Sequence, residues 1–262
     1  MFHLSEEAQQ IYSKIKYVDW EDVEYDRLTG KIYAVNEAVI KVLKRKGVTI
    51  TNQPGLYELK FNKNSLWDAD TIISIKYLPV EPYDEFTKDF KDNISYEGLA
   101  VDSKYFYFGF EGKESNELFF DSCYISIVDK NSFRIVKKID LASSGIRTVT
   151  GLSSAGDLKL FGTDRNDNQI FYISFDENLE IKELYRFSAS NRIPGHPKLR
   201  YVSAIESIAF DNEGFLYVAD DPYRELYIPN DHILSLLDTT AVNNFNNFVP
   251  VLHKYKVKGR IP

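Results

Sequence analysis

Glu21, Glu97 and Glu206 each open a stretch of one pattern: Glu-x-apolar-x-x-Asp, a turn, then an apolar run ending in an acid. The copies read WEDVEYDRLTGKIYAVNE, YEGLAVDSKYFYFGFE and IESIAFDNEGFLYVAD. A fourth, VTGLSSAGDLKLFGTD, has Thr150 where the others have Glu. From that first position to the closing acid the step is fourteen residues in three copies, ending on Glu111, Asp164 and Asp220. In the first copy it is sixteen, ending on Glu37, because the turn DRLTG is wider. Carboxylates gathered in one place repel each other, and protonation, a basic partner or a cation must relieve the repulsion. Oxygen donors without His or Cys suit a hard ion, and Ca²⁺ accepts an irregular mix of carboxylates, carbonyls and waters. The expected metal ligands are therefore Glu21, Glu97, Glu206 and Asp220, with Glu37, Glu111 and Asp164 as further ligand-binding acids. Two other uses of the same acids stay open: tying down backbone amides at the strand entrance, and proton transfer.

The elements that must position these acids are β-hairpins. Asn, Asp and Gly turn chemistry separates two runs rich in β-branched and aromatic residues in each copy, and hairpin pairing brings the two acids to one sheet edge. Two more strand-like runs follow each hairpin, such as CYISIVD with FRIVKKIDL and QIFYISFD with LEIKELYRFS. Repeats of four antiparallel strands, apolar on both faces, predict an all-β fold, a β-propeller of four or five blades, over a single domain, residues 1–262. A sandwich or barrel of hairpins is the alternative. Five blades are preferred because four-bladed closure is tight, and the long first interval could hold an insertion or a second blade. The first strand of each blade would line the channel, so the repeated Glu would ring one mouth. The N-terminal QQIYSKIKY is expected to supply an outer strand closing the ring against the last blade.

With 44% apolar and 15% aromatic residues, the chain can bury a large core, which excludes disorder. A net charge of −7 with interspersed signs offers no basic stripe for nucleic acid. No apolar run reaches the length of a membrane span, and the N-terminus lacks a signal-peptide layout. That reads as cytoplasmic for the sequence as it stands, or extracytoplasmic if a leader has been removed. Cys123 is the sole cysteine, so no intrachain disulfide forms, and it reads as a small hydrophobe. There is no Gly-x-Ser-x-Gly elbow and no phosphate-cradling glycine loop.

YEGLAVD and IESIAFDNEGFLYVADD resemble the strand openings of the esterase-like or phytase-like propellers and the SdiA-regulated propellers. More distantly they are similar to the Glu-Gly-Pro opening of the regucalcin-type lactonases. The resemblance implies a divalent-ion or small-ligand site at the channel mouth, carried by Glu97 and Glu206, and by Glu21 where Asp22 replaces the glycine. The Asp-rich calcium signature of true propeller phytases is not evident. The basic loop SNRIPGHPKLRYVSAIES could overhang that mouth with Arg192, His196 and Arg200, and Arg224 lies in a second candidate loop after Asp220. The expected function is a ligand-binding or scaffold propeller taking a small molecule or protein at the mouth. The alternative is a metal-dependent hydrolase of esters, lactones or phosphoesters.

Overall fold

The fold is that of a computed structural model, which describes residues 3–15, 18–43, 47–50, 52–66, 68–116, 119–202, 204–220 and 228–257. Its antiparallel sheets form a four-bladed β-propeller. Blade one holds β1 (His3–Leu4), β2 (Trp20–Asp26), β3 (Lys31–Asn36), β6 (Gly55–Phe61) and β7 (Thr71–Leu78), with the hairpin β4 (Ile40–Leu43) and β5 (Gly47–Ile50) inserted. Blade two is β8 (Tyr96–Val101), β9 (Tyr105–Asn116), β10 (Phe119–Asp129) and β11 (Ile135–Asp140). Blade three is β12 (Gly151–Gly156), β13 (Lys159–Asp164), β14 (Gln169–Phe175) and β15 (Ile181–Ser188). A separate hairpin, β16 (Asn191–Ile193) with β17 (His196–Tyr201), precedes blade four: β18 (Ile205–Phe210), β19 (Phe215–Asp220) and β20 (Leu252–Lys256). Blade four has three strands among the described residues, where four were expected.

Four is the lower of the two expected blade numbers. The long first interval is one blade carrying insertions: the β4–β5 hairpin and the short helix α1 (Tyr83–Phe86). The N-terminus also differs from expectation. Its segment Glu6–Tyr12 is a helix, here α2, and β1 pairs in parallel with β7, the outer strand of blade one rather than of the last blade. The sequence favours the helix because Ser5 caps it, its Oγ accepting from the Ala8 amide at 3.2 Å, and Glu6 and Glu7 fill the first turn. Ala8, Ile11 and Ile15 then recur on one face, which packs on Tyr57 and Ile75.

In three of the inner hairpins the turn is built by the Asp that ends the repeated pattern, Asp26, Asp102 or Asp211, and in blade three Ala155 takes that place. Asp102 accepts from the Lys104 and Tyr105 amides, and Asp211 from the Glu213 and Phe215 amides. Apolar faces join neighbouring blades in three cores. Tyr33, Val35 and Leu56 meet Leu99, Phe106 and Phe108 between blades one and two. Tyr107 and Ile125 meet Leu152 and Phe171 between two and three, and Cys123 packs there as a hydrophobe. Phe161 and Tyr172 meet Ile208 and Leu216 between three and four. The seam between blades four and one is different: Arg27 donates to the Phe210 carbonyl and to Asn212 Oδ1, while Val23 and Tyr25 on β2 remain 55% and 48% exposed.

Candidate functional site

At the start of three inner hairpins the ladder skips one residue, and that residue is the repeated Glu. In blade one Trp20 pairs Asn36 and Asp22 pairs Val35, passing over Glu21. Tyr96 pairs Phe110 and Gly98 pairs Gly109, passing over Glu97, and Ile205 pairs Asp220 and Ser207 pairs Ala219, passing over Glu206. Such a bulge re-aims the extra side chain out of the normal alternation. In blade three Gly151 pairs Thr163, and Thr150 holds the same place, its Oγ1 bonded to Thr163 Oγ1 and the Ile205 carbonyl at 3.0 Å each.

The residue after each bulge sets how tightly the blades converge: Asp22, Gly98, Gly151 and Ser207. A Cβ on Gly151 would lie 2.6 Å from the Glu206 carbonyl oxygen, and one on Gly98 would lie 2.9 Å from Leu152 Cγ. The glycines therefore let inner strands approach as four-bladed closure requires. The one long side chain at this level, Asp22, spans the axis: its Oδ2 accepts from the Leu99 amide of blade two at 2.8 Å and the Leu152 amide of blade three at 3.4 Å. Burial pushes Asp22 up to about 7 against these bonds.

Above Asp22 lies the acidic mouth. The Glu37 amide donates to the Asp19 carbonyl at 2.8 Å and the Glu111 amide to the Ser95 carbonyl at 2.9 Å, so these two strand-end acids occupy equivalent places. Ligand atoms of Glu37, Glu97 and Glu111 lie within 4.8 Å of one another, and so do those of Asp19, Glu21 and Glu37. The acids run from exposed Asp19 through half-buried Glu21 to Glu37, Glu97 and Glu111, which are 2%, 7% and 4% exposed. One oxygen each of Glu37, Glu97 and Glu111 is buried without a hydrogen-bond partner. Burial first, and then Glu21 and Glu111, raise Glu37 to about 9. Glu21 rises to about 7 through burial and Asp19, and Glu97 is held well above the usual carboxylate range by burial and Glu111. Glu111 rises only to about 7, because Arg165 opposes the effect of burial.

Arg165 is the basic group of the mouth. Its Nη2 meets Glu111 Oε1 at 2.5 Å and its Nη1 meets Glu206 Oε1. Its neighbouring carboxylates hold its charge against burial. It follows Asp164, as Glu37 follows Asn36 and Glu111 follows Phe110, so it is the blade-three counterpart of those acids. Asp164 and Asp220 stand one residue earlier in register, and a one-residue step turns a strand side chain to the other face. Asp164 accepts from the Arg147 and Asp167 amides at 3.0 and 3.2 Å, and burial raises it to about 6. Asp220 accepts from the Val251 amide at 2.5 Å.

Of the expected metal ligands, Glu21 and Glu97 thus lie in the two acid groups, Glu206 is paired with Arg165, and Asp220 is bonded elsewhere. Glu37 and Glu111 join the groups, and Asp164 caps a loop. Arg192, His196 and Arg200 are exposed on the β16–β17 hairpin, which replaces the expected long loop because Pro194 and Gly195 (φ 77°) make its turn. Arg200 Nη1 donates to the Pro197 and Leu199 carbonyls of its own hairpin. Arg224 lies outside the described residues. Asp19, Asp22 and Arg165 were not among the expected site residues. Aligning the copies on their turns rather than on their closing acids would have put Arg165 beside Glu37 and Glu111.

Among the described residues, no helix is long and apolar enough to cross a membrane. No family model matches the chain, and no curated protein matches it. Solved structures that resemble it include a luciferin-regenerating enzyme, at 14% identity over 95% of this chain and 94% of that one, with a TM-score of 0.39. The aldose sugar dehydrogenase of Streptomyces coelicolor in its PQQ-bound form is 7% identical over 83% of this chain and 79% of that one, TM-score 0.39. The RRP9 WD40 repeats are 9% identical over 78% and 74%, TM-score 0.35.

Proposed function

We propose that this chain is a single-domain β-propeller whose acidic mouth binds one divalent cation, calcium by its donor set, and that it serves as a ligand-binding or scaffold protein around that ion. The observation that carries this reading is the triad Glu37, Glu97 and Glu111, three buried carboxylates within ion-binding reach, each with an unpartnered oxygen. Among the described residues six acids, with Asp19, Glu21 and Glu206, face one guanidinium there, and an ion relieves the excess that Arg165 leaves. The fit is to a hard cation, since every donor is oxygen. The likeness of YEGLAVD and IESIAFD to the phytase-like and SdiA-regulated propellers supports the same location. The gradient from exposed Asp19 to buried Glu97 gives the ion an entry path.

Thermal melts in calcium and in chelator test the reading. A ligand at a hundred times its Kd stabilises the native state by about 2.7 kcal/mol, about 5–10 °C for a chain of this size. The wild type should gain that increment in calcium. Glu97→Gln should lose it, and Glu206→Gln, whose partner is Arg165, should keep most of it. No calcium increment in the wild type would overturn the proposal.

The hydrolase reading has one observation in its favour: Glu21, half-exposed beside the triad and raised to about 7, is poised to exchange a proton near neutral pH. A screen of generic ester, lactone and phosphoester substrates, with Glu21→Gln as the control, decides it. Turnover that this variant abolishes would make the protein an enzyme.

A further inference from the structure

A cavity lies beside blade four, lined by none of the acids Asp19, Glu21, Glu37, Glu97 and Glu111. It has a volume of about 510 Å³ and is lined by Tyr201 at the end of β17 and by residues where β19 meets β20. Two short helices, α3 (Asp231–Leu234) and α4 (Thr239–Asn246), are inserted between β19 and β20, and α4 forms one wall. The volume falls in the range of small-molecule sites, roughly 300–1,000 Å³.

We propose that this cavity binds a primary amine carrying an apolar or aromatic body. The lining contains two carboxylates and, among its described residues, no Lys or Arg. Asp238 is held through Oδ1, which accepts from the Ala241 amide at 2.8 Å and caps α4. Asp220 is held through Oδ1 by the Val251 amide. Each carboxylate lines the cavity and is positioned through one oxygen, and among the described residues no hydrogen bond holds its other. Asp220 Oδ2 stands 3.8 Å from His253 Nε2, beyond hydrogen-bond range, and that nitrogen is buried with no partner. A primary ammonium has three N–H donors and no acceptor, which matches two carboxylate oxygens and an imidazole nitrogen lining one space. The remainder of the wall mixes the polar Thr239, Thr240 and Asn244 with an apolar side, on which Tyr201 and Phe245 meet edge to face with centroids 5.8 Å apart beside Val249. Aromatic rings attract a cation and pack against the body that carries it. A quaternary ammonium would satisfy the charge and none of the three acceptors, and an anion would face both carboxylates.

The test is ligand-observed saturation-transfer NMR on the full chain in chelator, with tyramine, phenethylamine, hexylamine and putrescine as probes. 4-Ethylphenol, 3-(4-hydroxyphenyl)propionate and the trimethylammonium form of tyramine keep the ring and change the head group. Saturable binding by at least one primary amine, at least tenfold tighter than its neutral and anionic analogues, is expected. Asp238→Ser, which keeps a capping hydroxyl, should weaken that binding about tenfold, and Phe245→Ala should do the same without touching the cap. Glu97→Gln should leave it unchanged, which separates this cavity from the axial mouth. No saturable binding by any of the four amines, equal binding of the neutral analogues, or loss of binding in Glu97→Gln would overturn the proposal.

Discussion

A glutamate passed over by the ladder is freed from the strict alternation of a strand, and three blades use that freedom at Glu21, Glu97 and Glu206. The partners then diverge. Glu206 has Arg165, Glu21 reaches towards solvent, and Glu97 is buried among Glu37 and Glu111 with one oxygen unpartnered. An uncompensated buried carboxylate opposes folding, so its neutral isostere should help the metal-free protein. Glu97→Gln is expected to raise stability in chelator by about 1–2 kcal/mol while removing the calcium increment. Urea unfolding in the two conditions checks both signs. A loss of stability in chelator would mean that the carboxylate is tied down by the backbone instead. Asp22 is the reverse case, a carboxylate whose use is structural. Asp22→Ala should cost about 1–3 kcal/mol with or without calcium, because the Leu99 and Leu152 amides lose their shared acceptor.

Among the elements, the inner hairpins carry most of the design. Three of their turns are held by Asp side chains, and Asp102 does more than shape its own: its Oδ2 also accepts from Tyr107 Oη at 2.6 Å and from the Leu158 amide of blade three at 3.0 Å. Asp102→Ala should therefore cost about 2–4 kcal/mol, read by urea unfolding, whereas Asp211→Ala in the exposed turn of blade four should cost about 1 kcal/mol. Similar losses for the two variants would show that the cross-blade bonds add nothing. The hairpins were legible in the sequence, since turn residues and apolar runs recur, and so were the Glu at the start of three and Thr150 at the start of the fourth. The far end was read with a one-residue error. A spacing counted along the chain equals a position in the sheet only when turns have equal length, and the turn of blade two is one residue shorter than that of blade four. Fourteen residues reach Glu111, beyond the paired Phe110, in blade two, but only the paired Asp220 in blade four. The basic member of the mouth, Arg165, was hidden by that shift. The helix after Ser5 was missed for another reason: its apolar residues are few and its aromatic neighbours favour strands.

At the scale of the whole molecule, closing four blades requires small residues at the axis, and the acids above it accumulate charge that Arg165 alone cannot balance. Raised carboxylates make stability depend on pH with a definite sign. Glu21, Asp22 and Glu111 rise to about 7, Asp164 to about 6 and Glu37 to about 9. The folded protein therefore binds protons more tightly than the unfolded chain, whose carboxylates titrate near 4, and metal-free stability falls as pH rises through 6 to 9. In chelator the melting temperature should be higher at pH 5.5 than at pH 9. In saturating calcium the dependence should reverse, since acid releases the ion. Parallel series would mean that no ion is shared by these acids. The most direct measurement is a crystal structure grown in calcium. The account predicts one ion at about 2.3–2.6 Å from oxygens of Glu37, Glu97 and Glu111, with Arg165 still bridging Glu111 and Glu206. The same three carboxylates packed together without an ion at saturating calcium would contradict it.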